Sequence, residues 1–253
     1  MLTTNYSEYS TIELCRYYSK EFDNWFNPET FNWKEASGEL CIYFSDKFDI
    51  WWNPDRFNWE SSSNELCIYL ANKFDTWWNP EKFNWATGSE YLCKHLSVRF
   101  NDWWDPEKFN WTEYSQILGQ YVSNEFDTWW DPEKFNWIKG SWVLCQYISK
   151  KFDTWWDPDK FCWINSSWKL PQYISDRFNV WWDKNKFDWI RGSKQLCQYV
   201  LDKFDIWFDP FLLNWTPYEK CDPEKVIPKK YRYLKDISSN ELTNFVKEQL
   251  ISK

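Results

Sequence analysis

The residues of this chain that could do chemistry are cysteine, carboxylate and tryptophan, with a single histidine. Cys15, Cys41, Cys67, Cys93, Cys145 and Cys197 are spaced by 26 residues or by twice that. Thiols could cross-link or hold a soft metal, but neighbouring helices pack roughly 8–10 Å apart, beyond the roughly 7 Å between Cα atoms that a disulfide tolerates. They read as small buried apolar residues, with Gly119 and Pro171 in the same place in two further copies. Cys162 and Cys221 have no visible partner. His95 stands where Tyr43, Tyr69 and Tyr121 stand elsewhere, so it reads as a variant ring. No glycine-rich phosphate loop, paired metal ligands or nucleophile–base pair is present. The pattern predicts no catalytic residue, no metal and no cofactor.

The tryptophans, 24 in all, could stack sugars or hold cations. Three classes separate. The first Trp of each doublet (Trp25, Trp51 and so on) and the motif-ending Trp (Trp33, Trp59 and so on) occur in every copy and fit core packing. The second Trp of the doublet, at Trp52, Trp78, Trp104, Trp130, Trp156 and Trp182, lies at the edge of the apolar stripe and is a candidate ligand row. Trp142 and Trp168 stand where other copies have Gly38, Asn64, Glu90, Gln116 or Lys194. The repeat does not need Trp there, and Trp is enriched in binding hot spots.

Behind these residues lies one beat. Phe22, Phe48, Phe74, Phe100, Phe126, Phe152, Phe178 and Phe204 each open Phe-Asp/Asn-x-Trp-Trp/Phe-Asn/Asp, every step being 26 residues. A fixed period in this range signals stacked supersecondary units. Thr11 and Ser37, Ser63, Ser89, Ser115, Ser141, Ser167 and Ser193 put a hydroxyl at one position of all eight copies, as a helix N-cap would. Leu40, Phe44, Phe48 and Trp51 then fall on one helical face. Asn or Asp at Asn53 and its equivalents, followed by Pro54 and an acid, predicts a second, one-turn helix to about Trp59. A short loop, ending in Gly88, Gly140 or Gly192 in three copies, would lead to the next hydroxyl. The Asp49 class reads as a hydrogen-bond acceptor for an indole N–H. The fold class is all-α: an α-solenoid of eight 26-residue repeats, each a long helix plus a one-turn short helix, with a C-terminal capping helix. Residues 1–10 form an N-terminal cap segment, 11–218 the array, and 219–253 a linker and capping helix. Ser238-Ser239-Asn240-Glu241-Leu242 copies Ser62 to Leu66, so 238–252 reads as a degenerate ninth helix covering Phe211, Leu212 and Leu213.

Net charge is −8; residues 216–253 carry 8 Lys/Arg and 6 Asp/Glu, a net +2, which leaves the array near −10. An acidic array disfavours nucleic acid, which draws affinity from cations on phosphates, although Lys220–Lys235 is locally basic. Nothing approaches 18 consecutive apolar residues, so no membrane span is expected. The N-terminus has neither a basic region nor an apolar core, so no signal peptide is expected, and free cysteines suit a reducing compartment.

The unit Ser-Trp-x-Leu-Cys-x-Tyr-Ile-Ser-x-x-Phe-Asp-Thr-Trp-Trp-Asp-Pro-Glu-Lys-Phe-Asn-Trp, closely copied from Ser141 onward, resembles Trp-rich tandem repeats in proteins of amoeba-infecting giant DNA viruses. The resemblance covers residues 11–218 and implies an intracellular, virus-encoded interaction protein in the host cytoplasm, with no catalytic residues carried over. The expected function is a non-enzymatic scaffold that binds a protein or peptide, basic segments fitting the charge best, along an acidic, aromatic-lined surface. The alternatives are carbohydrate or cationic-ligand binding by the Trp52-class row, and a self-assembling structural protein. The oligomeric state and the partner's identity stay open.

Overall fold

A computed structural model describes residues 5–215, together with 227 and 229. The chain divides into two compact units, Met1–Trp130 and Asp131–Lys253. All regular structure among the described residues is helical. In the first unit the long helices Thr11–Tyr17, Trp33–Tyr43, Trp59–Tyr69, Trp85–His95 and Trp111–Tyr121 each pack on the one before. In the second, Trp137–Tyr147 packs on a broken helix, which packs in turn on Trp189–Tyr199. Both units thus have the nearest-neighbour stacking of an α-solenoid.

The repeat beginning at Trp59 illustrates the local causes. The Asn58 side chain accepts a hydrogen bond from the Ser61 N–H at 3.3 Å and caps the helix. The helix runs Trp59–Tyr69, a 3-10 turn covers Ala71–Lys73, and a one-turn helix covers Phe74–Trp77. Trp78 is extended at φ −60° and ψ 120°, which ends it. Pro80 disfavours helical backbone in the residue before it. The Asn79 side chain then caps a turn, accepting from the Glu81 N–H at 3.0 Å. Phe83 closes that turn through its N–H to the Asn79 carbonyl at 2.9 Å.

These boundaries differ from those expected from the sequence. The one-turn helix precedes the Asn-Pro pair, and the segment after it is a capped turn. The motif-ending Trp opens the long helix instead of closing the short one. Gly88, Gly140 and Gly192 sit inside long helices, not in loops. A Cβ there would meet the Cζ of Phe83, Phe135 or Phe187 at 2.3 Å, so these glycines let a ring lie on the backbone. The stripe Leu40, Phe44, Phe48 and Trp51 is fully buried as expected, but it spans a helix, a 3-10 turn and a second helix.

The hydroxyl class is not an N-cap in the regular repeats. Ser63 lies mid-helix and buried, donating to the Trp59 carbonyl at 2.6 Å. Its oxygen also accepts the backbone N–H of Asn84, in the next repeat, at 3.0 Å. Ser37 accepts likewise from Asn58 at 2.9 Å, Ser89 from Asn110 at 3.2 Å and Ser193 from Asn214 at 3.0 Å. The hydroxyl ties one repeat to the next.

The terminal repeats differ. Ser10 and Glu13 form a capping box that starts the first helix, preceded by the 3-10 turn Tyr6–Glu8 and the Tyr9–Tyr18 ring contact at 4.8 Å. At the other end Phe211 and Leu212 are exposed while Leu213 is buried. The expected capping helix 238–252 and, apart from Ile227 and Lys229, the stretch Lys220–Lys235 lie outside the described residues. Pro171 breaks the regular helix of its repeat into Trp163–Ser166, Ser167–Lys169 and Leu170–Tyr173. Proline lacks the N–H and crowds the carbonyl four residues back, and Ser166 Oγ is left buried without a partner.

Candidate partner-binding face

The first Trp of each doublet belongs to the core: Trp51, Trp77, Trp103, Trp129, Trp155, Trp181 and Trp207 are almost fully buried. Trp77 Nε1 donates to the Leu70 carbonyl at 2.7 Å, and Trp51 to that of Phe44 at 2.7 Å. The motif-ending class donates to a carbonyl five residues back, Trp59 to Pro54 at 2.9 Å. Backbone carbonyls therefore take these indole N–H groups, not the Asp49 class as the sequence suggested. Asp49 instead accepts from Lys73 at 2.9 Å, as Asp23 does from Lys47 at 2.8 Å. Asp75 pairs with Arg99, and Asp153 with Arg177. Where Glu125 replaces the cation of this row, Asn101 replaces the acid, and both line one cleft. A second row pairs Glu29 with Arg56, Asp55 with Lys82, Glu81 with Lys108, Glu133 with Lys160 and Asp159 with Lys186. These pairs are exposed and screened by solvent, so each adds little stability, and they leave the net charge of the array unchanged.

Trp52, Trp78, Trp104, Trp130, Trp156 and Trp182 are all half-buried. Trp52 stacks on Phe48 at 5.0 Å and meets Phe57 at 5.2 Å and Trp59 edge-on at 5.6 Å. Trp78, Trp104, Trp156 and Trp182 repeat that triple contact. Trp130 stacks on Phe126 at 5.1 Å. One ring face of each is thus committed to packing.

The copies diverge elsewhere, on a half-buried face of the long helices, here the outward face, on which Ile117 and Val143 are buried. One position holds Gly38, Asn64, Glu90, Gln116, Trp142, Trp168 and Lys194 in succession, and the next holds Glu39, Glu65, Tyr91, Ile117, Val143, Lys169 and Gln195. In the first unit this face is polar. Glu39 pairs with Arg16 at 2.6 Å, and Glu90 pairs with Lys94. Glu65 has no cation among the described residues, and burial, reinforced by the nearby Glu39 charge, holds its carboxyl above the usual glutamate range. Asn64 Oδ1, Glu65 Oε2 and Gln116 Oε1 are buried acceptors without a donor.

In the second unit the same face is aromatic. Trp142 and Trp168, neighbours by repeat, are both half-buried and both flank the ammonium of Lys169. Trp168 Nε1 donates to the Asn165 carbonyl at 3.1 Å. A groove of about 560 Å³ lined by Asn165, Trp168, Ile190, Arg191 and Gln195 opens beside it. Ile138, Ile164 and Ile190, one repeat apart, are 70%, 72% and 75% exposed. Lys169, Glu65 and the isoleucine row were not singled out from the sequence. The position-by-position comparison that isolated Trp142 and Trp168 carries their signal too, since only one copy has Lys at the Lys169 position.

His95 is exposed and stacks on Tyr91 at 6.1 Å. Cys15, Cys41, Cys67, Cys93, Cys145 and Cys197 are buried free thiols, and Cys162 is half-buried. Burial pushes the Cys15 thiol up to about 12 and those of Cys41 and Cys93 well above the ordinary range, which leaves them poor nucleophiles. Among the described residues no cluster of His, Cys, Asp or Glu could hold a metal, and no helix is long and apolar enough to cross a membrane. No protein-family model, curated protein or solved structure matches the chain.

Proposed function

We propose that this chain is a non-enzymatic repeat scaffold that binds a protein or peptide partner on the outward face of its long helices, with Trp142 and Trp168 as the anchors. One observation carries the reading: eight copies of one unit keep their buried residues nearly constant and diverge on that face. Two of the substitutions there place large, half-buried aromatic rings side by side, and one of them, Trp168, lines an open groove. Packing does not require Trp at these positions, and large rings around a desolvated pocket are typical anchors of binding energy. The paired acid rows engage many of the array's carboxylates with its own lysines and arginines, so those acids are less available to a basic partner. Glu65 on the first unit is the acid best placed to receive a cation. The buried free thiols favour a reducing, intracellular setting.

A displayed library of random peptides selected on the whole chain, with Trp142→Ala/Trp168→Ala as the counter-selection, tests this. Peptides that bind the chain and ignore the double variant are expected. Enrichment of peptides that bind both equally would sink the reading.

A second reading rests on the edge row. Trp52, Trp78, Trp104, Trp156 and Trp182 are half-buried, and no acceptor takes their indole N–H groups among the described residues. Such a row suits carbohydrate hydroxyls or cationic ligands. A sugar-dependent change in tryptophan fluorescence that disappears in Trp78→Phe/Trp104→Phe would favour it over the first.

A further inference from the structure

Three departures from the repeat meet at one point in the second unit. Trp142 and Trp168 replace small or polar residues, and Lys169 stands where other copies have Glu39, Glu65, Tyr91, Ile117, Val143 or Gln195. The Lys169 Nζ lies 4.3 Å from the ring centre of Trp168, 5.3 Å from that of Tyr173 and 5.9 Å from that of Trp142. Gln146 Oε1 accepts one of its protons at 3.0 Å. All three rings are within the roughly 6 Å over which a ring face attracts a cation. The remaining contact is a neutral amide oxygen; no carboxylate reaches this ammonium among the described residues. Most lysines on the paired rows have an acid partner, among them Lys160 on Glu133 and Lys186 on Asp159. Lys169 is therefore a half-buried cation held by π faces and one hydrogen bond.

Tyr173 and Gln146 belong to positions filled by Tyr and Gln in several other copies. The added parts are the two indoles and the lysine, all half-buried, and Trp168 also lines the groove. An aromatic box with a neutral acceptor selects an alkylammonium group over a metal ion, which needs oxygen ligands, and over an anion, which the ring faces repel.

We propose that Trp142, Trp168 and Tyr173, with Gln146, form an alkylammonium-binding cage that Lys169 fills in the free chain, and that a lysine side chain of the partner, methylated or not, enters by displacing it. The partner half rests on the reading of the outward face as a binding surface; the cage itself does not. The internal ammonium lowers the apparent affinity for an external one in proportion to its occupancy. Burial also holds Lys169 below the usual lysine range, a desolvation cost that any ammonium entering the cage bears as well.

The test is a ligand-observed NMR titration of tetramethylammonium, against sodium at equal ionic strength, on the full chain. Lys169→Ala is expected to bind at least about tenfold tighter than the unsubstituted chain, with the probe methyl signal shifted upfield by the rings. Adding Trp168→Ala to that variant is expected to abolish the gain. A Lys169→Ala chain with unchanged circular dichroism that binds no tighter, or a gain that survives Trp168→Ala, overturns the cage. If Lys169→Ala does not fold, Lys169→Gln is titrated by the same criteria. Selected peptides that still depend on Trp142 and Trp168 while the cage test fails would leave the partner-binding reading standing. A working cage with no such peptides would remove that reading alone.

Discussion

Ser63→Ala is the substitution that most directly probes how the repeats hold together. The hydroxyl donates to the Trp59 carbonyl at 2.6 Å and accepts the Asn84 N–H at 3.0 Å. Alanine fits the same space, so no steric cost arises. The Trp59 carbonyl lies within a regular helix and keeps its main-chain partner. The Asn84 N–H is different: it belongs to the next repeat, and among the described residues no other acceptor takes it. Losing a buried bond and stranding its donor costs about 1–3 kcal/mol; because Asn84 is half-buried, the lower half of that range is expected. For a chain of this size that corresponds to a fall in Tm of roughly 2–6 °C. Ser61→Ala is the control, since Ser61 is exposed and its hydroxyl meets, among the described residues, only that of Ser62, at 3.1 Å within the same helix, and a change within about 0.5 kcal/mol is expected. Urea unfolding followed by circular dichroism measures both. Equal midpoints for Ser63→Ala and Ser61→Ala would refute the inter-repeat role of the hydroxyl.

Two other substitutions follow from the same geometry. Cys162 stands where Asn58, Asn84 and Asn110 cap their helices and donate from Nδ2 to a carbonyl of the preceding repeat, at 2.6, 2.6 and 2.9 Å. The Cys162 helix has no side-chain cap, so Cys162→Asn is expected to raise stability by about 1–2 kcal/mol, read as a higher urea midpoint. Glu65→Gln is expected to stabilise the chain at neutral pH. The folded pKa of Glu65 is raised, so the charged carboxylate is disfavoured in the folded state. The stability tied to its neutral form is full below the unfolded pKa, near 4.3, and is lost as pH rises through the higher folded value. The gap between variant and unsubstituted chain should therefore close as pH is lowered below that range; a gap that widens there would contradict the assignment.

Much of the fold was legible because burial follows the beat. Leu40, Phe44, Phe48 and Trp51 recur with one apolar pattern, and all are buried. The boundaries were less legible because each repeat holds two Asx signals. Asn53 precedes Pro54 and looks like the stronger helix start, yet it caps only a turn; Asn58, before the bulky Trp59, precedes the long helix. The serine hydroxyl was misread for a related reason: a mid-helix Ser bonding back four residues has no local signature, and its second partner lies 21 residues on, at Asn84. The acid of the Asp49 class likewise finds its partner, Lys73, 24 residues away. Such contacts need the repeat pitch as well as the period. Trp142 and Trp168 were visible as departures from the pattern, whereas the cation between them required the helix geometry to place Lys169 and Tyr173 on one side.

The affinity of one peptide selected on the whole chain without counter-selection, measured by calorimetry on two variants, separates the outward face from the tryptophan row. Trp142→Ala/Trp168→Ala removes the anchors, and a loss of about 30-fold or more is expected, the size of a single hot spot. Trp104→Phe alters the edge row in the way that Phe26 and Phe208 already do in the terminal repeats, and affinity should stay within about threefold, well under one hot spot. Retained affinity in the double variant, with loss in Trp104→Phe, would place binding on the row and contradict the outward face.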